Sequence, residues 1–290
     1  MIIDLHIHSK NCSDGTLTVK EIFHEAKARS IGLMSITDHD SIGCQKEAIN
    51  LARKIGIHYV VGVEIGISFC PPNAYGKEAI SLDLLGYQFD IKNKALNEKL
   101  RLVGEKRKER ASKILKNLNT EFEKKGIEKL TEKDFEKIQA SVHGTLGRPH
   151  IADYLIKKGI VKTRQEAFDQ YLERCDFPKF PVYLSEASKL LRDAGGIVVL
   201  AHPNDTHGIS LARLTESLTE QTKIIEESML DYIDGVECWH SRNDVNTTNH
   251  YVKFAKNHGL IMTGGSDCHQ KPILMGTVKI PNYVAKRFLD

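Results

Sequence analysis

Close to its start the chain reads Ile2-Ile3-Asp4-Leu5-His6-Ile7-His8, an apolar run that closes on two histidines. Side chains along a strand alternate between its two faces, so His6 and His8 are predicted to point to the same side. Two imidazoles on one face suit a metal ion. A lone pair of this kind is more often two partly exposed histidines, so the interpretation depends on the residues at the ends of the other apolar runs.

Further short apolar runs rich in Ile and Val occur along the chain, and each ends in a polar residue or Gly, as buried parallel strands do. With the first run at 2–6 they number seven, the others lying at 33–37, 59–64, 80–86, 196–201, 234–239 and 260–264. Helical patterns lie between most of them, at 18–30, 44–55, 185–193 and 246–257. This alternation predicts a parallel α/β architecture. A seven-stranded barrel is favoured over an open sheet because nothing marks a reversal of strand order.

One long segment breaks the alternation. Between residues 89 and 181 there is no convincing strand, but helical patterns occur at 96–116, 131–139, 149–158 and 164–174. We interpret residues 89–181 as a helical insertion, called the insertion below, between two parts of a barrel at 1–88 and 182–290. Insertions that follow barrel strands lie over the active face, so this one is predicted to contact the substrate.

Polar motifs rich in histidine and acid stand after most of the apolar runs. They are Ser13-Asp14-Gly15, Thr37-Asp38-His39-Asp40, Gly62-Val63-Glu64, Ala201-His202-Pro203 and Gly265-Ser266-Asp267-Cys268-His269. The carboxyl ends of parallel barrel strands meet on one face, so these side chains are predicted to converge. A set of imidazoles and carboxylates that requires no thiolate suits Mn²⁺, Fe²⁺ or Zn²⁺. The sequence therefore predicts a multinuclear metal site.

The composition limits the other possibilities. The chain has 290 residues, 41% of them hydrophobic, and a net charge of +3, which excludes disordered and collagen-like proteins. So small a charge does not indicate wholesale nucleic-acid binding, and an anion site must come from local clustering. No run of about 18 apolar residues occurs and the start does not resemble a signal peptide. We expect a cytoplasmic protein without membrane contact, and nothing implies a stable protein partner.

The cysteines carry no pattern of their own. None forms a C-x-x-C pair, which favours reduced thiols over a disulfide framework or a structural zinc site. The six are Cys12, Cys44, Cys70, Cys175, Cys238 and Cys268. An isolated histidine such as His143 has no ligand companion and is not assigned to the metal site.

Taken in order, the histidine and acid motifs resemble those of the PHP (polymerase and histidinol phosphatase) superfamily. Two stretches of the insertion, Gly147-Arg148-Pro149-His150-Ile151-Ala152 and Glu166-Ala167-Phe168-Asp169-Gln170-Tyr171-Leu172, are similar to a nucleotide phosphoesterase branch. That branch includes 3′,5′-nucleotide bisphosphate phosphatase and the 5′–3′ exoribonuclease RNase AM. The resemblance implies a distorted (β/α)₇ TIM-like barrel of the PHP fold, with the helical insertion after its fourth strand and up to three metal ions.

The resemblance also implies a ligand set. One metal would be held by His6, His8, Glu64 and Asp267, a second by Asp14, His39 and His269, and a third by Glu64 and His202. Two departures from the family pattern concern this set: the spacing from His8 to Asp14 is one residue longer, and Asp83 stands where a histidine is usual. Asp83 is a further candidate ligand. We therefore expect two to three divalent ions, Mn²⁺ first, with Fe²⁺ or Zn²⁺ as alternatives.

The charges of this set favour an anionic substrate. Three divalent ions among the four carboxylates would leave about two positive charges, which a phosphate group can neutralise. Clustered divalent ions lower the pKa of a bound water and stabilise the charge that develops in an in-line displacement. We therefore predict a metal-dependent phosphoesterase in which a metal-activated hydroxide attacks phosphorus. Its substrate would be a nucleotide phosphomonoester, either AMP or a 3′,5′-nucleotide bisphosphate, or a short oligonucleotide.

The insertion offers candidate phosphate contacts. Arg107 occupies an apolar position in a helical pattern, and Arg110 lies three residues on, near the same face. Most charges of this helix are expected to be solvated, and phosphate contact is one of two interpretations for these arginines. Arg148 opens a helix just before Pro149, where free N–H groups and a guanidinium together suit an anion. His150 would contact the substrate or pack inside the insertion.

Other candidates lie after the barrel strands. His202 and His240 are predicted catalytic groups, and Arg242 is a predicted substrate contact, although His240 and Arg242 could equally be ordinary loop residues. Two alternatives to a nucleotide phosphoesterase stay open: a histidinol phosphatase, and a non-catalytic metal-binding regulatory module. The stretch from Arg148 to His150 argues against the first. The nearly complete ligand set argues against the second.

Overall fold

Two β-sheets form the centre of the computed structural model, which describes residues 1–72, 75–76, 78–142 and 144–289. His143 lies outside the described residues. One sheet has the order β1-β2-β3 and the other β4-β5-β6-β7-β8. The described strands are β1 Ile2–Ile7, β2 Ile31–Ile36, β3 His58–Tyr59, β4 Gly62–Phe69, β5 Ile80–Tyr87, β6 Ile197–Leu200, β7 Gly235–His240 and β8 Ile261–Gly265.

Helices separate most of the strands, as the alternation predicts. They are α1 Val19–Ala28, α2 Gln45–Ile55, α3 Lys94–Lys124, α4 Glu132–Ala140, α5 Arg148–Lys157, α6 Arg164–Ala167, α7 Leu184–Asp193, α8 Leu218–Ser228, α9 Val245–Asn257 and α10 Lys286–Leu289. A π-helical stretch, Phe168–Leu172, continues α6, and short 3₁₀ turns occur at Leu211–Arg213 and Asn282–Ala285. None of the described helices has the length and apolar character needed to cross a membrane.

The prediction of an all-parallel sheet is wrong for one strand. β5 pairs antiparallel with both β4 and β6, whereas the other described pairs are parallel. No described helix lies between β4 and β5, and a connection this short makes a hairpin, since a parallel pair needs a crossover of a dozen residues or more. The third predicted strand also divides into β3 and β4, and β4 continues to Phe69. The α/β class itself is confirmed.

The inverted β5 changes how the insertion reaches the site. Because β5 runs opposite to its neighbours, the chain leaves it at the far end of the sheet. The 31-residue helix α3 then carries the chain back, over about 46 Å. Its first half, with Leu96 and Leu100, packs in the core of the sheets. Its second half, with Ile114 and Leu118, packs in a separate apolar core formed by residues of the insertion.

The two sheets approach each other on both sides through single bridges. Ile7 pairs with Cys268, and His39 pairs with Glu64, each in parallel fashion. Among the described residues these bridges do not extend into a ladder that closes a barrel. The edge at which they meet carries His6, His8, His39, Glu64, His202, His240 and Asp267, and we call it the rim.

The prediction of reduced cysteines is wrong for one pair. Cys12 and Cys44 are joined by a disulfide, 32 residues apart in sequence. The spacing carried no hint of this bond because the two cysteines lie in loops after β1 and β2, which only the parallel pairing of these strands brings together. Cys70, Cys175, Cys238 and Cys268 are free thiols, as predicted.

Candidate metal centre and substrate cavities

Glu64 lies at the centre of the rim and is fully buried. Its Oε2 lies 2.9 Å from Nδ1 of His39 and 3.1 Å from Nε2 of His8. Nε2 of His6 is 3.4 Å from the same oxygen, and Oε1 is 3.0 Å from Nε2 of His202. The strand period thus brings His6 and His8 to one face, as predicted, and the bridge between His39 and Glu64 brings β2 and β4 to the same point.

A second group lies beside the first. The backbone N–H of Ser13 donates a hydrogen bond of 3.1 Å to the carbonyl oxygen of Ser9, which forms a turn just before Asp14. Oδ1 of Asp14 then lies 3.4 Å from Nε2 of His269 and 4.0 Å from Nε2 of His39. The structure therefore brings together the three side chains to which the family resemblance assigns the second metal.

Asp267 closes the rim at the end of β8. Its Oδ1 lies 3.3 Å from Nε2 of His8 and 3.4 Å from Nε2 of His6. The backbone of Asp267 has a φ of 52°, and that of His202 has a φ of 24°. Residues other than Gly rarely adopt a positive φ, and where such a backbone conformation occurs it commonly accompanies a functional site.

The donor atoms fit divalent metal ions. Among the described residues, five buried atoms of the rim make no hydrogen bond of acceptable geometry, even where a polar atom lies close: Nδ1 of His8, His39 and His202, Oε2 of Glu64, and Nε2 of His240. Ligand atoms also lie within 4.8 Å of one another in four sets of nitrogen and oxygen donors. The sets are His8, Asp14, His39 and His269; His6, His8 and Asp267; His6, Glu64 and His202; and His39, Glu64 and Asp83. Imidazole and carboxylate donors crowded in this way suit Mn²⁺, Fe²⁺ or Zn²⁺.

The electrostatics of the rim favour the exchange of protons for metal. Burial alone would raise the pKa of Glu64, but His39 and His6 hold it well below its usual range. Burial would lower the pKa of His202, yet Glu64 raises it to about 10, and the pKa of His39 rises to about 9 against burial through Glu64 and Asp14. Glu64 thus favours the protonated form of both imidazoles, and a divalent ion held here would take the place of these protons.

The predicted phosphate-binding arginines of the insertion form ion pairs with carboxylates. Nε of Arg107 donates to Oδ2 of Asp40 at 2.8 Å. Arg148 donates to Oδ2 of Asp176 at 2.8 Å, and Arg110 donates to the other oxygen of the same carboxylate. The guanidinium of Arg148 also stacks on the ring of Phe168. Two arginines thus share one acid at the surface of the insertion that faces the rim.

The other predicted contacts join the insertion and the strand-end loops. Nε2 of His150 lies 3.1 Å from the carbonyl oxygen of Ser13, so His150 links the insertion to the loop of Asp14. Arg242 forms an ion pair with Asp205. Its backbone N–H donates to Nδ1 of His240 at 3.3 Å, which leaves the His240 proton on Nε2, 3.4 Å from Oδ2 of Asp267.

Two cavities adjoin between the rim and the insertion. One of about 690 Å³ is lined by four cations and two acids: Arg110, Arg148, Lys179, Arg213, Glu173 and Asp176. The other, of about 510 Å³, reaches the predicted ligands Asp14, Asp267 and His269 and is also lined by Arg164 and Arg242. Glu173 lines both cavities. Their volumes are those of small-molecule sites.

The family model of the PHP domain matches residues 4–177, which is more than half of the chain. The chain belongs to the PHP family. This confirms the resemblance inferred from the histidine and acid motifs.

Relatives of this PHP protein include named phosphoesterases. The 3′,5′-nucleoside bisphosphate phosphatase of Chromobacterium violaceum is 30% identical over 92% of this chain and 87% of the relative. The 5′-3′ exoribonuclease Rnm of Escherichia coli is 27% identical over 93% of this chain and 86% of the relative. A crystal structure from Bifidobacterium adolescentis superposes on this chain with a TM-score of 0.82 at 27% identity, covering 99% of this chain and 95% of the other. That protein is described as a metal-dependent phosphoesterase by inference. The predicted reaction class, metal-dependent phosphoester hydrolysis, is confirmed.

The PHP rim depends on one buried carboxylate that the motif analysis missed. Oε1 of Glu237 accepts from Nδ1 of His6 at 3.0 Å, and Oε2 accepts from the backbone N–H of His202 at 2.8 Å. A carboxylate accepts only, so the His6 proton sits on Nδ1 and Nε2 is free to bind a metal. The available signal was an acid inside the buried run Gly235-Val236-Glu237, where charged residues are rare.

Two more acids support the ligand loops. Oδ1 of Asp38 accepts from the backbone N–H of Ser9 at 2.6 Å, and Oδ2 accepts from the Ser9 hydroxyl at 2.7 Å. Asp4 accepts from the backbone N–H groups of Ser266 and Gly276. Gly265 is required at the end of β8, since a Cβ there would lie 2.3 Å from that of His6. These contacts fix the histidines before any metal binds.

Proposed function

We propose that this PHP protein hydrolyses a phosphomonoester of a nucleotide and that its preferred substrate carries a second phosphate. One observation carries this proposal: the candidate metal ligands open onto a cavity of about 510 Å³, and this cavity shares Glu173 with one of about 690 Å³ lined by Arg110, Arg148, Lys179 and Arg213. Such a cavity has the size of a nucleotide site and the charge to hold an anion. The name of the Chromobacterium violaceum relative, a nucleoside bisphosphate phosphatase, agrees with this assignment.

The rim residues would hold the metals and so the reacting phosphate. We assign His6, His8, Glu64 and Asp267 to one divalent ion and Asp14, His39 and His269 to another, with Mn²⁺ as the first candidate. When bound, such ions lower the pKa of a coordinated water and neutralise charge on the phosphoryl oxygens. His202 is held by Glu64 and Glu237. His240 keeps its predicted role in proton transfer, since its Nε2 proton lies beside Asp267.

The insertion would act as the cap that selects the substrate. Arg110 and Arg148 already share Asp176, so a phosphate that enters the cavity meets two guanidinium groups in place. Charge-assisted hydrogen bonds of this kind are the strongest that a phosphate makes. In the proposed complex, one phosphate of the nucleotide lies at the rim and the other against these arginines. The sheets would form the distorted seven-stranded barrel that the family resemblance implies.

Short oligonucleotides are a second candidate substrate. A further cavity of about 410 Å³ lies on the other flank of the Asp14 loop and is lined by Lys10, Lys137, Lys157 and Arg164. Arg164 also lines the cavity that reaches the metal ligands. A cavity lined by several cations suits the phosphate backbone of a nucleic-acid strand, although Arg164 is paired with Asp153 of the same cavity. The name of the Escherichia coli relative, a 5′-3′ exoribonuclease, agrees with this possibility.

Phosphate release from a small panel of substrates tests the proposal. The panel contains AMP, adenosine 3′,5′-bisphosphate, a short 5′-phosphorylated RNA and histidinol phosphate, each with Mn²⁺ and with chelator. We expect Mn²⁺-dependent release that is fastest from the bisphosphate and absent with chelator. Chromatography of the RNA products shows which bond breaks. Cleavage of histidinol phosphate alone would identify a histidinol phosphatase, and no turnover by the metal-loaded protein would favour a regulatory module.

A further inference from the structure

A third set of donors lies on one side of Glu64. It consists of Glu64 with its neighbours in two of the donor sets, His202 in one and Asp83, which is 4% exposed on β5, in the other. In this arrangement Nε2 of His202 lies 3.0 Å from Oε1 of Glu64, in direct hydrogen-bond contact. Asp83 faces β4 across the antiparallel ladder, where its register partner is Gly66. A cation of the chain that is not among the predicted ligands lies beside this set.

That cation is the ammonium of Lys179, near the end of the insertion. A Cβ built on Gly66 would lie 3.3 Å from Oδ1 of Asp83 and 3.8 Å from Nζ of Lys179. The ammonium and the carboxylate therefore occupy the two sides of one small space that exists because residue 66 has no side chain. Burial lowers the pKa of Lys179, and Asp83 is the strongest of the charges that oppose this effect. Lys179 is also the cation whose charge most lowers the pKa of Asp83, against burial and Glu64.

The other acid in this space is already engaged. Oδ1 of Asp40 accepts from the backbone N–H of Gly66 at 3.0 Å, and Oδ2 accepts from the guanidinium of Arg107. Both oxygens of Asp40 thus have donors of their own. Asp83 is then the acid left to face Lys179 across this space, beside Glu64.

From these positions we propose that the Lys179 ammonium takes the place of a third divalent ion, so that the site holds two metal ions and a lysine. A divalent ion bound by Glu64, His202 and Asp83 would lie close to a fixed positive charge, which opposes its binding. The lysine also lines the cavity of about 690 Å³ beside the rim. It can therefore contact the reacting phosphate on the side that faces Asp83, as a compact point charge with three donors. This role in substrate contact rests on the proposed function, whereas the metal count does not.

Metal content tests the inference without any substrate. The full-length protein is loaded with excess Mn²⁺, freed of loose ions by gel filtration, and its metal-to-protein ratio is measured by mass spectrometry. We expect two ions in the wild type and three in Lys179→Met, because the charge that excludes the third ion is gone. The double variant Lys179→Met with Asp83→Asn should return to two. Lys106→Met is the matched control, since Lys106 lines the same small space as Lys179 but pairs with Glu109.

Three firmly held ions in the wild type overturn the proposal. An unchanged count of two in a folded Lys179→Met protein also overturns it, because the lysine then does not exclude the third ion. If Lys179→Met does not fold, Lys179→Gln removes the same charge with a polar side chain and is measured in its place. Failure of the phosphate-release panel would contradict the proposed function and leave the metal count intact, so the two failures are distinguishable.

Discussion

The rim and the insertion hold their charged groups in opposite ways. At the rim, Glu64 is fully buried among imidazoles, and Glu237 and the backbone fix His6 and His202 from behind. In the insertion, Arg148 is paired with Asp176, whose side chain is 32% exposed at the edge of a cavity. The rim is thus built before any substrate arrives, whereas the arginine pair is open to a competing anion.

This difference separates chemistry from selection. A buried constellation held by a second layer of contacts keeps its geometry for the reacting phosphate. Partly exposed ion pairs cost little to rearrange, since such pairs contribute at most about 1 kcal/mol. Changes at the rim should therefore lower kcat or metal content. Changes at the partly exposed arginine pair should mainly raise KM and alter the choice of substrate.

The largest expected effect is that of Glu64→Gln. The substitution keeps the size of the side chain but removes the charge that faces four imidazoles at the rim. We expect Mn²⁺-dependent phosphate release to fall below detection and the metal content to drop, both measured against the wild type. Glu47→Gln, on the exposed side of α2, is the matched control and should leave both unchanged. Full activity of Glu64→Gln would contradict the central place given to this residue.

A smaller effect is expected from Glu237→Gln. The amide keeps one acceptor and loses the charge, so either His6 Nδ1 or the backbone of His202 loses its partner. Substitution of such outer residues lowers metal affinity by about 10- to 100-fold. The measurement is the Mn²⁺ concentration that gives half-maximal phosphate release, with the surface variant Glu226→Gln as control. An unchanged Mn²⁺ requirement would show that Glu237 does not orient the ligand.

Much of the rim could be predicted from the sequence, because strand periodicity and strand ends are local properties. His6, His8 and Asp267 lie where these patterns indicate. The inverted β5 could not be predicted in the same way. In the sequence, the short connection before β5 is only a polar gap between two apolar runs, and such a gap does not show in which direction the next strand runs. Its consequence is large, because α3 must return along the sheets before the insertion reaches the rim.

Long-range pairs account for most of the remainder. Nothing in the stretch around Arg148 indicates that Arg148 will share Asp176 with Arg110, because Asp176 lies 28 residues from Arg148 and 66 residues from Arg110. Lys179 was overlooked for the same reason: its role depends on Asp83 and on the space beside Gly66, which the hairpin of β4 and β5 creates. The residue types were enough to predict the metal chemistry. Which charged side chains are paired with an acid, in contrast, depends on residues that only the fold brings close.

The smallest of the three effects is expected from Arg148→Met, and it tests the insertion directly. The side chain keeps its apolar contact with Phe168 but loses the guanidinium that faces the cavity. We expect KM for adenosine 3′,5′-bisphosphate to rise about tenfold, as the loss of one charged hydrogen bond predicts, with kcat and metal content almost unchanged. Arg101→Met, an exposed arginine of α3 paired with Glu105, is the control. A fall in kcat at constant KM would place Arg148 with the rim, and the division between chemistry and selection would then fail, because the insertion would contribute to the transition state itself.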